Sequence, residues 1–221
     1  MRLDPLTFAS LMYMAETNRK THWETVYTTK GENEVSWFQD DPAPSLELID
    51  LARPTKESHI VDIGGGASRL VDKLLARGFA HVSVLDISAA ALDVAKARLG
   101  ERASSVEWIV ADVTAWQPKQ RFDIWHDRAA FHFLVAPADR AAYIARMKQA
   151  LRPGGHAIIA TFAIDGPEKC SGLPVNRYDP AELARELGEG FVLIDSRRHD
   201  HATPWNSKQR FQFSLFRRQG G

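Results

Sequence analysis

A run of three glycines directly after an apolar stretch constrains this chain more than any other feature. Residues 59–63 (HIVDI) are followed by Gly64, Gly65 and Gly66, and helix-forming residues begin soon afterwards. This order predicts a buried strand, a tight turn and the start of a helix, where backbone N–H groups can approach a ligand closely. The sequence therefore predicts a nucleotide-type binding site at this turn.

The residues around the turn distinguish between kinds of nucleotide. A dinucleotide fingerprint has the spacing G-x-G-x-x-G, and this chain has Gly64 and Gly66 but Arg69 at the third position. An acidic residue, Asp62, stands two positions before the turn. A carboxylate at that place suits a ligand with positive charge better than it suits a pyrophosphate.

Composition excludes several classes of protein. The chain has 221 residues, which fits one α/β domain, and equal numbers (28 each) of Lys+Arg and Asp+Glu, so no overall basic field attracts nucleic acid or an anionic membrane. The single cysteine, Cys170, excludes an internal disulfide, and no metal site is predicted. No apolar run approaches the roughly 20 residues of a membrane span, and the first residues do not resemble a signal peptide. We expect a cytoplasmic protein.

Strands and helices alternate from residue 58 onwards. The predicted strands are Ile60–Ile63, Val82–Leu85, Val106–Val110, Phe122–Trp125, His156–Phe162, Val192–Arg197 and Arg210–Arg217. Helices are predicted over residues 68–77, 89–99, 138–151 and 180–187, with Ser88 and Asp179 as N-caps of the second and fourth. Repeated strand–helix units imply a parallel sheet covered on both faces. The last two strands are joined by a loop, which predicts an antiparallel hairpin.

The first 45 residues differ from the remainder because they are rich in aromatic side chains. We interpret residues 1–45 as a short helical cap over a core domain of residues 46–221, the whole forming a single domain. Thr21 and Glu24 have capping-box spacing, which predicts a helix that begins at Thr21. Ser45 is predicted to cap a second helix over residues 46–52.

Four aspartates fall at the predicted carboxyl ends of successive strands, where open α/β sheets bind their ligands. They are Asp62, Asp86, Asp112 and Asp127. Asp86 follows the glycines by about twenty residues, the spacing at which a carboxylate accepts hydrogen bonds from ribose hydroxyls. A single aspartate at such a place is often only a helix cap, but four in register favour a cofactor site.

Together these signatures resemble the class I (Rossmann-like) S-adenosylmethionine (SAM)-dependent methyltransferases between residues 46 and 165. The resemblance implies a seven-stranded, mostly parallel sheet with an antiparallel C-terminal edge hairpin, and SAM as the cofactor. It assigns Asp86 to the ribose, Asp112 and the backbone of Val113 to the adenine, and Asp127 to the methionine end. The cofactor-binding residues that it implies are, in chain order, Trp37, Asp62, Gly64, Gly65, Gly66, Asp86, Ile87, Asp112, Val113, Asp127 and Arg128.

The segment from residue 21 to residue 38 is similar to the N-terminal cap of small bacterial methyltransferases, including thiol or thiopurine methyltransferases and some protein-lysine methyltransferases. By that resemblance Trp23, Tyr27, Lys30 and Trp37 close over the cofactor. A simpler interpretation is that Trp23 and Tyr27, four residues apart, pack the cap onto the sheet. Both interpretations stay open for Trp37.

Methyl transfer is a direct displacement, so a general base is needed only when the nucleophile arrives protonated. His132, just beyond the fourth strand, is the candidate base, although it could equally be packed between its phenylalanine neighbours. Tyr178 is a candidate for lining the acceptor pocket. The residues His199-Asp200-His201 are predicted to form a polar loop rather than a metal site.

The sequence therefore predicts an enzyme that methylates a thiol, amine or hydroxyl of a small molecule. A protein lysine is the alternative acceptor, with Asp40 and Asp41 helping to form an acidic trough. From other classes, a nicotinamide-dependent oxidoreductase leaves Asp112 unexplained, and a non-catalytic SAM-binding module stays open because a fold does not establish turnover. No nucleic-acid or membrane partner is predicted, and the sequence predicts no oligomeric state.

Overall fold

The computed structural model describes residues 19–220, so the part of the predicted cap before residue 19 lies outside it. The helices are residues 19–29 (α1), Ala43–Leu51 (α2), Leu70–Ala76 (α3), Ala89–Leu99 (α4), Pro137–Ala150 (α5) and Pro180–Leu187 (α6). Short 3-10 turns span Glu32–Glu34, Gly100–Ser105 and Phe131–Phe133. The strands are His59–Ile63 (β1), His81–Asp86 (β2), Val106–Val110 (β3), Phe122–Arg128 (β4), Leu151–Phe162 (β5), Lys169–Cys170 (β6), Leu173–Pro174 (β7), Phe191–Ala202 (β8) and Lys208–Arg218 (β9).

Seven of the strands form one sheet in the order β3-β2-β1-β4-β5-β9-β8. Strands β1 to β5 pair in parallel, whereas β9 is antiparallel to both β5 and β8. The predicted Rossmann-like sheet and its C-terminal hairpin are confirmed, and the reversed strand is inserted between β5 and the edge strand β8. Strands β6 and β7 form a separate two-stranded ribbon.

Both faces of the sheet are covered, so the central strands β1, β2 and β4 are buried along almost their whole length. On one face, Leu48 and Ile49 of α2 and Leu74 of α3 pack against β1, β2 and β9 in one apolar cluster. On the other face, Trp125 and Tyr143 belong to a second cluster that includes α5 and α6. The carboxyl ends of β1 to β4 therefore meet along one edge of a rigid, two-sided scaffold.

Local capping signals in the sequence predicted the starts of two helices correctly. Ser88 Oγ accepts a hydrogen bond from Ala91 N–H, and Asp179 accepts one from Glu182 N–H. The two cap-region predictions were wrong. The chain is already helical at residue 19, before Thr21, and α2 begins at Ala43 with Pro42 at its N-cap, so that Ser45 lies inside the first turn. Among residues 19–220, every helix is too short or too polar to cross a membrane.

Candidate functional site

The glycine turn after β1 leaves no room for side chains. A Cβ atom on Gly65 would lie 2.6 Å from Asp62 Oδ2 and 2.7 Å from a Val84 methyl group. A Cβ on Gly66, which has a φ of +39°, would lie 2.8 Å from Asp86 Oδ2. The turn thus brings bare backbone against the carboxylates at the ends of β1 and β2.

Two neighbouring cavities open above this turn. The first encloses about 790 Å³ of empty space, including its mouth, and extends along the ends of β2 and β3. The second encloses about 610 Å³ beneath residues 32–45 of the cap. The residues lining both are Tyr27, Trp37, Gly64 and Arg128.

Asp86 lies in the first cavity at the end of β2. Its Oδ1 accepts a hydrogen bond of 2.9 Å from Ser88 N–H, and its Oδ2 faces Gly66. Burial raises the pKa of Asp86 to about 7, and the nearby carboxylates of Asp62 and Glu24 raise it further against the effect of the Ser88 hydrogen bond. Ile87, the next residue, also lines this cavity. A hydroxyl that donates to Asp86 would favour its ionised form.

Asp112, at the end of β3, lines the same cavity beside Val113 but is already engaged by the protein. Its Oδ1 accepts hydrogen bonds from the backbone N–H and hydroxyl of Thr114, and its Oδ2 accepts two from Arg19 of α1. Arg19 also donates to Asp139 at the start of α5, 2.6 Å away. An adenine amino group would have to share or displace Arg19, which the sequence did not indicate.

Asp62 and Arg128 bring opposite charges to the second cavity. Asp62 Oδ1 lies 2.7 Å from His126 Nδ1, and His126 Nε2 lies 2.8 Å from Ser45 Oγ. The guanidinium of Arg128 donates from Nη1 to the carbonyl oxygen of Trp37, while its Nε and Nη2 have no hydrogen-bond partner among residues 19–220. Burial lowers the pKa of Arg128 to about 10, which still leaves it charged at neutral pH.

The carboxylate of Asp127 does not reach either cavity. It accepts hydrogen bonds from the backbone N–H groups of Ala130 and Phe131 and from the hydroxyl of Tyr143, 2.6 Å away. Burial raises its pKa to about 6. Its side chain holds the turn after β4, and its assignment to the methionine end stays a prediction.

The two predicted catalytic residues also lie apart from the cavities. The ring of His132 is fully buried between Phe133 and Phe162, and neither of its nitrogens has a partner among the described residues. Burial, with the charge of Arg128, lowers the pKa of His132 to about 3. Tyr178 lines a separate depression beside α6. These placements favour the packing interpretation of His132, and the assignment of Tyr178 to the acceptor pocket stays a prediction.

Aromatic side chains form the outer wall of the first cavity. Trp23 of α1 makes edge contacts with Trp37 and Phe133, with ring centroids 5.6 and 5.0 Å apart. Trp37 Nε1 donates to the hydroxyl of Tyr27. Trp23 and Tyr27 therefore pack the cap and also line the cavity, and their closing over the cofactor stays a prediction.

The cap is fixed by a contact that the sequence did not reveal. The carboxylate of Glu24, expected to belong to a capping box of its own helix, accepts hydrogen bonds from the N–H groups of Ala89 and Ala90 and from the Ser88 hydroxyl, at the start of α4. Because these partners lie more than 60 residues away along the chain, no local pattern signals the contact.

The histidines at residues 199 and 201 lie on strand β8, which corrects the expectation of a polar loop there. His201 Nε2 donates a hydrogen bond to the carbonyl oxygen of Ser36, 2.8 Å away, because a carbonyl oxygen can only accept. Within the described part of the chain, no three histidine, cysteine or acidic side chains are grouped as metal ligands.

Comparison with known proteins places this geometry among the methyltransferases. The family described as "Methyltransferase domain" matches residues 60–155. The ubiquinone biosynthesis O-methyltransferase of Aromatoleum aromaticum is 30% identical over 183 residues, covering 81% of this chain and 68% of that protein. The trans-aconitate 2-methyltransferase of Paracidovorax citrulli is 30% identical over 148 residues, 65% of this chain, but the match spans only 50% of that relative's length.

Solved structures share the fold. The 1,6-didemethyltoxoflavin-N1-methyltransferase of Burkholderia thailandensis, with bound 1,6-didemethyltoxoflavin and S-adenosylhomocysteine, superposes with a TM-score of 0.65 at 22% identity, covering 100% of this chain and 92% of that one. The N-methyltransferase NodS of Bradyrhizobium japonicum gives 0.65 at 18% identity, covering 86% and 94%.

Proposed function

The chain belongs to the class I S-adenosylmethionine-dependent methyltransferases, and on that premise we propose that it methylates a small, largely apolar molecule held against Trp23, Trp37 and Phe133. The observation that carries this proposal is the character of the outer wall of the first cavity. That wall is aromatic, because Trp23 makes edge contacts with both Trp37 and Phe133.

The residues present fit the cofactor. SAM carries an α-amino acid, and the second cavity offers Arg128, with two unpartnered donors, for a carboxylate and Asp62 for an ammonium group. The first cavity offers the carboxylate of Asp86 and the backbone beside Ile87 and Val113 to an adenosine. A buried guanidinium with two unpaired donors is costly unless a ligand engages them, which supports an anionic group at this place.

When bound, SAM supplies an electrophilic methyl group on a sulfonium that leaves as a neutral thioether. The protein's own contribution is to align the acceptor and to exclude water. Trp23 and Trp37 cover the cavity from the cap, and Glu24 and Arg19 hold α1 in that position.

The described lining of the outer wall provides no general base. Cys170 also lines the first cavity, but burial raises the pKa of its thiol to about 12, so the thiol stays protonated at neutral pH. His132 is buried outside the cavity. We therefore infer that the acceptor supplies its own electron pair, as a carboxylate, a neutral amine or ring nitrogen, or an acidic phenol or thiol does.

A protein-lysine acceptor finds less support. An acidic trough would be needed for its cationic side chain, and the predicted contributors Asp40 and Asp41 line neither cavity. The relatives named for ubiquinone biosynthesis and trans-aconitate carry small-molecule names, which agrees with an enclosed pocket.

The test is transfer of label from methyl-labelled SAM to fractionated cell extract, followed by a panel of carboxylic acids, phenols, ring nitrogens, amines and thiols. We expect label in the fraction that passes a small-molecule filter. Label only in the retained protein fraction would overturn the proposal. Trp23→Ala should raise the acceptor KM with little change in S-adenosylhomocysteine (SAH) affinity, whereas Trp205→Ala, at a side chain 58% exposed, should change neither.

A further inference from the structure

A chain of three buried polar side chains connects the cap to the strand that precedes the glycine turn. Ser45, His126 and Asp62 are only 1%, 1% and 3% exposed. His126 Nδ1 lies 2.7 Å from Asp62 Oδ1, and His126 Nε2 lies 2.8 Å from Ser45 Oγ. Strand pairing explains half of this arrangement, because Asp62 of β1 and His126 of β4 are register partners and point to the same face.

The chemistry of the carboxylate fixes the direction of the first bond. An ionised carboxylate can only accept, so His126 donates from Nδ1 to Asp62. The hydroxyl of Ser45 can either donate to or accept from the other ring nitrogen. Ser45 therefore orients the ring, and the ring holds one oxygen of Asp62.

This restraint matters because a buried cation lines the same cavity. Arg128 has two unpartnered donors, and burial lowers its pKa while the negative charge of Asp62 partly opposes that lowering. Two opposite charges in one poorly solvated cavity attract each other strongly and would pair directly if both were free to move. Each is instead held by a different partner: Asp62 by His126, and Arg128 by the carbonyl oxygen of Trp37.

We propose that His126, oriented by Ser45, is a positioning residue that keeps Asp62 apart from Arg128, so that both charges stay available for the ammonium and carboxylate of an α-amino acid. This inference rests on the proposed function, because that amino acid is the methionine tail of the cofactor. It assigns a role to two residues outside the glycine turn and couples α2 to cofactor binding.

Two probes separate this role from general support of the fold. SAH carries the amino-acid tail, whereas 5′-methylthioadenosine has the same adenosine and sulfur without it. Each is titrated calorimetrically into the wild-type protein, His126→Leu, His126→Asn and Ser45→Ala. Loss of one hydrogen bond to a charged group should weaken SAH binding by about tenfold or more in His126→Leu, with 5′-methylthioadenosine binding unchanged.

His126→Asn is the conservative control, since an asparagine amide can donate from near the place of Nδ1, and we expect it to recover most of the SAH affinity. Ser45→Ala should weaken SAH binding by about threefold and provides the test if His126→Leu fails to fold. Equal losses for both probes, or no loss for either, would overturn the inference. A wild-type protein that binds neither probe would instead refute the proposed function.

Discussion

The buried carboxylate of Asp86 predicts that cofactor binding depends on pH near neutrality. In the free protein burial raises the pKa of Asp86 to about 7, so this carboxyl is largely protonated at mildly acidic pH and ionised at mildly alkaline pH. Ribose hydroxyls that donate to the carboxylate stabilise its ionised form and lower its pKa in the complex. Binding therefore releases a proton and strengthens as pH rises through the pKa of the free protein.

The magnitude follows from that pKa. If the pKa in the complex falls well below 6, the dissociation constant of SAH should be about tenfold larger at roughly pH 6 than at roughly pH 8, a difference of about 1.4 kcal/mol. Calorimetric titration at several pH values measures this directly. Repeating the titration near pH 7 in buffers of different ionisation enthalpy should show release of about half a proton.

Asp86→Asn is the matched control, because it keeps the shape of the side chain and removes its titration. This variant should bind SAH more weakly than the wild type at alkaline pH and show little pH dependence over the same range. A dissociation constant that stays constant from pH 6 to 8 in the wild type, or an equal slope in Asp86→Asn, would refute the assignment of Asp86 to the ribose.

Three further predictions follow from the packing of the site. Gly65→Ala should destabilise the protein by about 1–3 kcal/mol and sharply weaken SAH binding, because the new Cβ would meet Asp62. Gly190→Ala is the control, since the nearest atom there is 3.6 Å away on a flexible lysine, and it should change neither property. Denaturation measures the stability and calorimetric titration measures the SAH affinity. Asp127→Asn should lower the free energy of unfolding by about 1–3 kcal/mol yet leave the SAH affinity of the folded protein unchanged; a selective loss of affinity would restore Asp127 to the cofactor site. Arg128→Met should raise the melting temperature of the ligand-free protein, since it removes an incompletely paired buried charge, while weakening SAH binding; a lower melting temperature with full affinity would contradict this role.

The sequence predicted the sheet well because its signals are local. The central parallel strands contain short apolar stretches, and two of the helices have recognisable starts, at Ser88 and Asp179. The glycine turn and the aspartates stand at the ends of these strands, so their positions at one edge of the sheet could be predicted together with the strands. Asp62, Asp86 and Asp112 line the two cavities, and their roles toward the cofactor stay predictions.

What a side chain contacts could not be predicted in the same way. Asp112 is bound by Arg19, 93 positions earlier, and Asp62 is held by His126, 64 positions later. No periodicity or spacing encodes such pairs, because they depend on how the cap and the strands are brought together. Asp127 illustrates the same limit: its place at a strand end resembles that of Asp86, but Tyr143 and backbone N–H groups occupy its carboxylate.

The central claim is that the two cavities together bind the adenosine and the amino-acid tail of SAM. Calorimetric titration of the purified protein with SAH, and in parallel with NADH, tests it most directly. We expect one SAH to bind per chain with a dissociation constant in the micromolar range or below, and we expect no heat of binding from NADH. Binding of NADH, or no binding of SAH by the folded protein, would contradict the assignment of both cavities.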